Sequence, residues 1–424
     1  MYYAQNKKPL PLYDIHPTSI KLINRGHPWI TLDSFSEKFH PKEKFIVAKN
    51  RGKPFALFIH DPTHKKIRAR LWSKQGNFDK QIKNFKQDLS NRIKAAITKR
   101  VKSKVLEDRN HFYLIFGEGD NIPGLFVHFI NEQILIQTYT DYWKKHQDYI
   151  IQQLTNHINQ AFDLDLDFTN FWIQSRDEAK QPAKCLDPNR NYQIIDIKES
   201  DINFKVILGK YYDHGIYTDM AAIRKRLAPV FKDKKSVLNL YAYTGAFSLF
   251  ALQNGADNVV SVDLSEQYLQ WLDENIKRNE CFDGNNHKSE QNAVNDFLDE
   301  AIADKHQYDL IISDPPSSSN DGNTVSNSFQ SYSRLLTDME KILSENGQII
   351  VLLNTHKTTF RKFEEKIKKT IFSKNLPLFV AKKYFLHEDC PTSKNFPEGS
   401  YLKGLLLKRK NKNVEEEKEV ATTE

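Results

Sequence analysis

Residues 237–265 read VLNLYAYTGAFSLFALQNGADNVVSVDLS, two β-type apolar runs separated by a helical segment. The first run ends at Tyr241, a turn holds Thr244, Gly245 and Ala246, and a helix is predicted from Phe247. Asp263 closes the second run, 18 residues after Gly245. Gly245 lets the main chain approach a ligand, and a carboxylate at the end of the second strand accepts hydrogen bonds from ribose hydroxyls. An adenosine-type cofactor is therefore expected. The full G-x-G-x-x-G of a pyrophosphate site is missing, which places S-adenosylmethionine ahead of NAD; an ordinary βαβ turn would need no ligand at all.

Working outward, DLIISDPPSSSN (309–320) sets Asp314, Pro315 and Pro316 directly after another apolar run. In an open α/β sheet, ligands sit at the carboxyl ends of the strands. The prolines stiffen the turn, and the Asp314 carboxylate suits an amino group or a base edge. From residue 235 onward strands (SVLNLYA, NVVSVDL, YDLIISD, GQIIVLLN) alternate with helices (AFSLFALQN, SEQYLQWLDENIKRN, SYSRLLTDMEKILSEN). This is the pattern of a parallel sheet with crossover helices. The last helix is expected to close at Asn346-Gly347, a fitting C-cap. The fold class is α/β, a Rossmann-like domain at 195–410. Before it, EKFIVAKN, RGKPFALFIHD and KIRARLWSK predict a small β-barrel within 1–78. A basic amphipathic helix and YLIFGEG, GLFVHFIN, EQILIQTYT and DFTNFWIQS predict an α+β middle domain at 79–194. Residues 411–424 read as a charged, disordered tail.

The chain of 424 residues is long enough for a substantial core, and 12% aromatic content excludes a disordered polymer. Residues 1–110 carry 25 Lys and Arg against 9 Asp and Glu, so with a net charge of +8 the remainder balances at −8. A basic first quarter on a mildly acidic remainder is the footprint of a polyanion-binding module. No apolar leader or 18-residue apolar run is present, so no membrane association is expected. Cys185, Cys281 and Cys390 make neither a disulfide framework nor a zinc site, which fits a cytoplasmic protein without a metal.

Further motifs stand in a recognisable order. They are His27-Pro28-Trp29-Ile30, Ile67-Arg68-Ala69-Arg70, Gly117-Glu118-Gly119-Asp120 with Ile122-Pro123-Gly124-Leu125, Gly215-Ile216-Tyr217-Thr218-Asp219 followed by Arg224, and Pro397-Glu398-Gly399 with Tyr401-Leu402-Lys403-Gly404. Over most of residues 19–408 the chain resembles the ribosomal RNA large subunit methyltransferase I family and its relative, large subunit methyltransferase K. The first two motifs resemble the opening signature and closing strand of that family's RNA-binding PUA domain. The resemblance implies S-adenosylmethionine-dependent methylation of a base in large-subunit ribosomal RNA. It also implies cofactor contacts from Tyr217, Asp219, the turn with Tyr241, Tyr243, Thr244 and Gly245, Asp263 and Asp314. A homodimer is compatible with it. His27 and Trp29 are expected to pack in the barrel core rather than to touch RNA.

The chain also departs from the family. Members that methylate cytosine carbon 5 carry a cysteine after the fifth strand, because a thiolate must first add to carbon 6. In GQIIVLLNTHKTT (347–359) Asn354 stands at that position, within a residue. Asn354-Thr355-His356-Lys357 and Ser318-Ser319-Asn320 look more like the K branch, which methylates guanine nitrogen 7 and needs no covalent nucleophile. On that reading Asp314, Asn320 and Asn354 hold the guanine edge, with Pro315 and Pro316 shaping the turn, and His356 or Lys357 faces phosphate. Cys390 is the candidate that would rescue cytosine chemistry, although a buried cysteine usually packs as an apolar group. Where the family has an acidic residue for the adenine amino group, Asn292 or Ala293 falls, with Asp296 as the alternative; Met220 replaces a common Gln. These departures motivate a reading of another class, a catalytically degenerate RNA-binding or ribosome-assembly factor. Gly245, Asp263 and Asp314-Pro315-Pro316 argue against it.

Overall fold

The computed structural model describes residues 12–34, 44–176, 180–279, 282, 286–316, 318–320, 325–387, 389–393 and 395–410. The expected tail, Cys281 and the side chain of Asn320 lie outside the described residues. Contacts divide the chain into two units. The first comprises residues 1–195, 207–214 and 388–396; the second comprises 196–206, 215–387 and 397–424.

The first unit opens with β1 (Leu12–Asp14), α1 (Pro17–Arg25), β2 (Trp29–Thr31), β3 (Phe45–Asn50), β4 (Lys53–His60) and β5 (Ile67–Ser73), the strands ordered β1-β3-β4-β5-β2. Arg51 and Gly52 both have positive φ, 51° and 76°, between paired Asn50 and Lys53. That is the mirror-image turn whose twist suits a two-residue hairpin. Next come α2 (Phe78–Lys83), α3 (Phe85–Lys102), β6 (His111–Phe116), β7 (Leu125–Ile130), β8 (Gln133–Thr138), α4 (Gln147–Phe162), β9 (Phe171–Ser175) and β10 (Lys184–Cys185). The predicted basic helix is thus two helices, broken at Asn84, which caps the first and starts the second. Strands β6 to β10 form a second sheet, and Val47, Leu57, Ile59 and Trp72 share its core with Phe112, Leu114 and Trp143.

Ion pairs stitch this unit. Arg70 reaches Asp61 at 2.7 Å and Glu118 at 2.8 Å, and Trp29 Nε1 donates to the same Glu118 oxygen at 2.7 Å. Arg100 pairs with Asp120 at 2.6 Å and Arg109 with Asp389 at 2.7 Å. All seven ionic side chains are nearly sealed from solvent, so breaking one pair costs about 3–5 kcal/mol. Trp29 is half-buried and lies edge-on to Phe396, 4.6 Å away, rather than inside the barrel core. Its indole N–H forces it to the polar margin of that core.

A two-stranded sheet of β11 (Gln193–Glu199) and β12 (Ile202–Leu208) follows. The remaining elements are α5 (Ala221–Phe231), β13 (Ser236–Leu240), α6 (Ala246–Gln253), β14 (Asn258–Asp263), α7 (Glu266–Lys277), β15 (His287–Gln291), α8 (Val294–Ala303) and β16 (Tyr308–Ser313), then β17 (Ser318–Asn320), β18 (Val325–Asn327), α9 (Ser328–Lys341), β19 (Leu343–Asn354), α10 (Phe360–Ser373), β20 (Leu378–Phe385) and β21 (Leu402–Arg409).

The large sheet runs β15-β14-β13-β16-β19-β21-β20. It is parallel through β19 and antiparallel for β21 and β20. Strands buried on both faces read as continuous apolar runs, which is why VLNL and LIIS were recognisable. Asn239 on β13 is buried, and a closed chain of hydrogen bonds satisfies it: Asn239 to Ser248 at 2.8 Å, Ser248 with Ser261 at 2.7 Å, and Ser261 with His287 at 2.8 Å. The helix expected to end at Asn346-Gly347 stops at Lys341. Leu343 already pairs with Tyr308, and the register then jumps to Leu310 opposite Gln348. Ser344–Gly347 is therefore a bulge in the strand, and Gly347 lacks the positive φ of a helix cap.

Candidate active site

The strand order reverses between β13 and β16, and the crevice above such a switch point is where open α/β sheets bind ligands. The turn after β13 is unusual in its backbone. Tyr241, Tyr243 and Gly245 have φ of 59°, 52° and 84°. Two non-glycine residues in the left-handed region within three positions cost about 1–3 kcal/mol each, and such strain gathers at functional sites. Several bonds hold it. Tyr243 N–H donates to Asp263 Oδ2 at 2.9 Å, Thr244 Oγ1 to Gly215 O at 2.5 Å, and Gly215 N–H to the Tyr243 hydroxyl at 3.1 Å. Asn275 donates to Thr244 O at 2.9 Å. A Cβ on Gly245 would lie 2.3 Å from Leu272 Cγ, so the glycine brings α6 close to α7.

Asp263 ends β14 and accepts from Ser265 N–H at 2.9 Å through its other oxygen. Burial pushes its carboxyl up, against the backbone N–H groups of Ser265, Tyr243 and Leu264. The Tyr217, Tyr243 and Tyr268 rings run in sequence, with centroids 5.2 Å and 4.6 Å apart. Tyr217 remains 43% exposed, open to stack on a flat ligand.

Two carboxylates meet beside this turn. Asp314, directly after β16, has its carboxyl pushed up to about 7, first by burial and then by Asp219; Arg224 opposes the shift. Arg224 is committed elsewhere, in two 2.7 Å bonds to Glu199 and in contacts to Tyr217 O at 3.3 Å. Among the described residues nothing donates a hydrogen bond to Asp314. Asp219 receives the Tyr401 hydroxyl at 2.6 Å. Two carboxyl groups brought together in this way suit a cationic ligand.

Below Asp314, the fully buried Tyr332 turns its hydroxyl to Ser313 O, at 3.1 Å, and to Leu352 O, joining the ends of β16 and β19. Asn354 is the last residue of β19, half-buried, opposite Leu402 of β21. Its side chain bonds to none of the described residues. Thr355 N–H donates to Tyr401 O at 2.9 Å, and the fully buried Lys403 ammonium donates to Thr355 O at 2.8 Å and Tyr401 O at 2.7 Å. Burial brings Lys403 down to about 8.

The carboxyl edge of the sheet thus brings together Tyr241, Tyr243, Thr244, Gly245, Asp263, Asp314, Pro315, Pro316 and Asn354, with Tyr217 and Asp219 ahead of α5. Pro315 is buried and Pro316 exposed. Other candidates are placed less directly. Asn292 follows β15 and donates its N–H to Asp263 O, but its side-chain amide is turned to Glu300 at 3.2 Å. Ala293 caps α8, and Asp296 lies exposed in its first turn. His356 bonds Glu398 O at 2.7 Å; Lys357 is exposed. Met220 is buried. Cys390 is buried within the first unit, as is the half-buried Cys185, whose Sγ lies 3.6 Å from Thr169 O. The reading of the residues assigned no role to Tyr332, Lys403 or Tyr401. Only the C-terminal Tyr-Leu-Lys-Gly motif pointed towards the last two.

A family model described as S-adenosylmethionine-dependent methyltransferase matches residues 166–371. A Bacillus subtilis protein, YwbD, provisionally named a ribosomal RNA large subunit methyltransferase, is 29% identical over 411 residues, 95% of this chain and 100% of that one. Ribosomal RNA large subunit methyltransferase I of Alteromonas mediterranea is 23% identical, covering 92% and 97%. Ribosomal RNA large subunit methyltransferase K/L of Vibrio parahaemolyticus is 26% identical, covering 71% of this chain and 43% of that one. Among solved structures, SMU.776, provisionally titled a methyltransferase and solved with SAH, superposes with a TM-score of 0.82 at 21% identity, over 94% and 100% of the two chains. The switch-point crevice, the strained turn and the paired carboxylates all lie within residues 166–371, the stretch that is similar to the S-adenosylmethionine-dependent methyltransferase family.

Proposed function

We propose that the protein methylates a base of large-subunit ribosomal RNA, and that the base is guanine, at nitrogen 7. The substrate class follows from the names of the relatives and from the basic surplus of residues 1–110. The choice of base rests on one observation: β19 ends in Asn354, at the position where a cytosine-methylating enzyme would need its cysteine. Cytosine carbon 5 needs a thiolate to become nucleophilic, whereas guanine nitrogen 7 has its own lone pair.

S-adenosylmethionine supplies an electrophilic methyl group on a sulfonium. Tyr217, the Tyr241–Gly245 turn and Asp263 would hold its adenosine part, and Asp219 and Asp314 its cationic end. The chain's own work is positioning, since holding two reactants in line supplies much of the barrier reduction. Ionised Asp314 accepts from the N–H groups of the guanine edge, and Asn354 supplies an amide to the same base. Asn320 and the turn made by Pro315 and Pro316 complete the base pocket, with His356 or Lys357 towards phosphate. The transferred positive charge ends on the purine, where Asp314 and Asp219 stabilise it. Flipping or single-stranded presentation brings the base within reach. We assign residues 1–78 to a PUA-like RNA-binding module, 79–194 to a middle domain and 195–410 to the catalytic domain.

Nucleoside mass spectrometry of unmethylated large-subunit RNA incubated with the protein and S-adenosylmethionine tests this. A rise in 7-methylguanosine is expected. A rise in 5-methylcytidine instead would overturn the choice of base and make Cys390 the first residue to replace. No methylated nucleoside, on naked RNA or precursor particles, would favour a degenerate assembly factor.

A further inference from the structure

The first unit contains three lysines and a histidine, grouped together, that methyl transfer does not use. Lys44 precedes β3, and Lys86 lies in the first turn of α3. Lys145 and His146 end the short helix, Asp141–His146, that leads into α4. Aromatic rings gather them. Lys145 Nζ stands 4.3 Å from the centroid of Tyr142. His146 packs against Tyr142 at 5.1 Å and Phe85 at 5.2 Å. Lys86 Nζ lies 5.2 Å from the ring of Tyr149, whose hydroxyl donates to Lys86 O at 2.8 Å. Phe45, next to Lys44, touches the same rings, 5.2 Å from Phe85 and 5.8 Å from Tyr142. The cluster therefore draws on the first sheet, α3 and the entry to α4, which are far apart in sequence.

Among the described residues none of the four has a carboxylate within 4.0 Å; the nearby Asp141 is taken by Lys144 at 2.6 Å. The crowding disfavours a proton on each group. Burial, and then Lys44, bring Lys145 down to about 8. Burial, then Lys145, Lys44 and Lys86, bring His146 down to about 4. Cations pressed together against aromatic faces are unfavourable until an anion sits among them. Ammonium groups stand over Tyr142 and Tyr149, so this surface offers N–H donors to negative oxygens. Lys44 and Lys86 also belong to the residues that make the first quarter basic. A nucleic-acid strand presents such anions in a row, and phosphate contacts fix its register without reading its sequence.

We propose that Lys44, Lys86, Lys145 and His146 form a docking site for the backbone phosphates of the substrate RNA. The proposal rests on the RNA reading given above and adds the surface that holds the strand.

The test is anisotropy titration of a labelled large-subunit RNA fragment with the full-length protein, between about 50 and 200 mM salt. Lys44→Gln/Lys145→Gln is compared with Lys362→Gln/Lys369→Gln, a pair of exposed lysines on α10. Loss of two phosphate contacts should make the log–log salt slope shallower by roughly 1.5 and weaken binding about tenfold or more. The α10 pair should change neither. Unaltered S-adenosylmethionine affinity shows that each variant is folded. If the first pair binds with wild-type affinity and slope, the docking site is wrong while the RNA reading stands. If the wild type shows no salt-dependent RNA binding, the RNA reading fails and takes this site with it. Inorganic phosphate, matched against chloride at equal ionic strength, should not compete at millimolar concentration; competition would mark a free-anion site and overturn the assignment to a strand.

Discussion

Tyr401 donates its hydroxyl to Asp219 Oδ2 at 2.6 Å across a separation of 182 residues. The bond ties the residue before β21 to the buried acid ahead of α5, which is the acid that raises Asp314. One hydroxyl therefore supports one member of the carboxylate pair while leaving the other without a donor. A cationic ligand meets a hydrogen-bonded carboxyl group and a proton-sensitive one side by side.

Removing that hydroxyl with Tyr401→Phe should weaken S-adenosylmethionine binding about tenfold, since a hydrogen bond to a charged group contributes about 1.5–3 kcal/mol. Calorimetric titration of the two proteins measures it. Equal affinities would mean that Asp219 does not need Tyr401 to hold the cofactor.

Cofactor binding should also depend on pH through Asp314, whose folded value of about 7 lies above its usual 3.8. The raised value means the native state binds more protons than the unfolded chain between these limits, so this group's contribution to stability falls as pH rises through that window. A cation favours the ionised form. Affinity should rise as pH increases through 7, with release of up to about one proton below it. Titrations in two buffers of different ionisation enthalpy count the protons, and Asp314→Asn should abolish the release. Persistent proton release in that variant would assign the titration elsewhere.

Gly245→Ala combines a left-handed backbone with a Cβ 2.3 Å from Leu272 Cγ. The conformation costs about 1–2 kcal/mol and the overpacking about 1–3 kcal/mol. Urea unfolding of the variant should show a loss of about 2–5 kcal/mol with an unchanged slope. A loss below 1 kcal/mol would show that α6 and α7 separate freely.

What could be read in the sequence, and what could not, divides along physical lines. The β13–α6–β14 unit and Asp314-Pro315-Pro316 were legible because strands buried on both faces leave unbroken apolar runs and because their site residues lie where those runs stop. The bulge at Ser344–Gly347 carried the turn residues of a helix end, and only the pairing of Leu343 with Tyr308 shows that the chain is already extended there. Asn292 follows β15 beside the cofactor turn, yet its amide is spent on Glu300, eight residues further on in α8, which spacing alone does not reveal. The Tyr401–Asp219 and Arg224–Glu199 bonds depend on where β21 and β11 fold back, which no local pattern states. Tyr332 lies in a segment legible only as a helix; its role depends on two carbonyls at neighbouring strand ends.

Asn354 separates the two base chemistries most sharply. Its half-buried side chain bonds to no described residue, and the segment after it is anchored by Thr355 to Tyr401 and by Lys403 to Thr355. An amide held on so fixed a support can orient a base but cannot form a covalent adduct with one. Asn354→Ala should therefore lower methyl transfer about tenfold to a hundredfold, the effect of losing one or two hydrogen bonds in the transition state, with cofactor affinity unchanged. Single-turnover transfer of labelled methyl to RNA provides the rate, and calorimetry the affinity. Full activity in the alanine variant would remove Asn354 from the base site. A covalent RNA–protein adduct surviving denaturation would show that a nucleophile elsewhere in the chain performs the chemistry that an amide cannot.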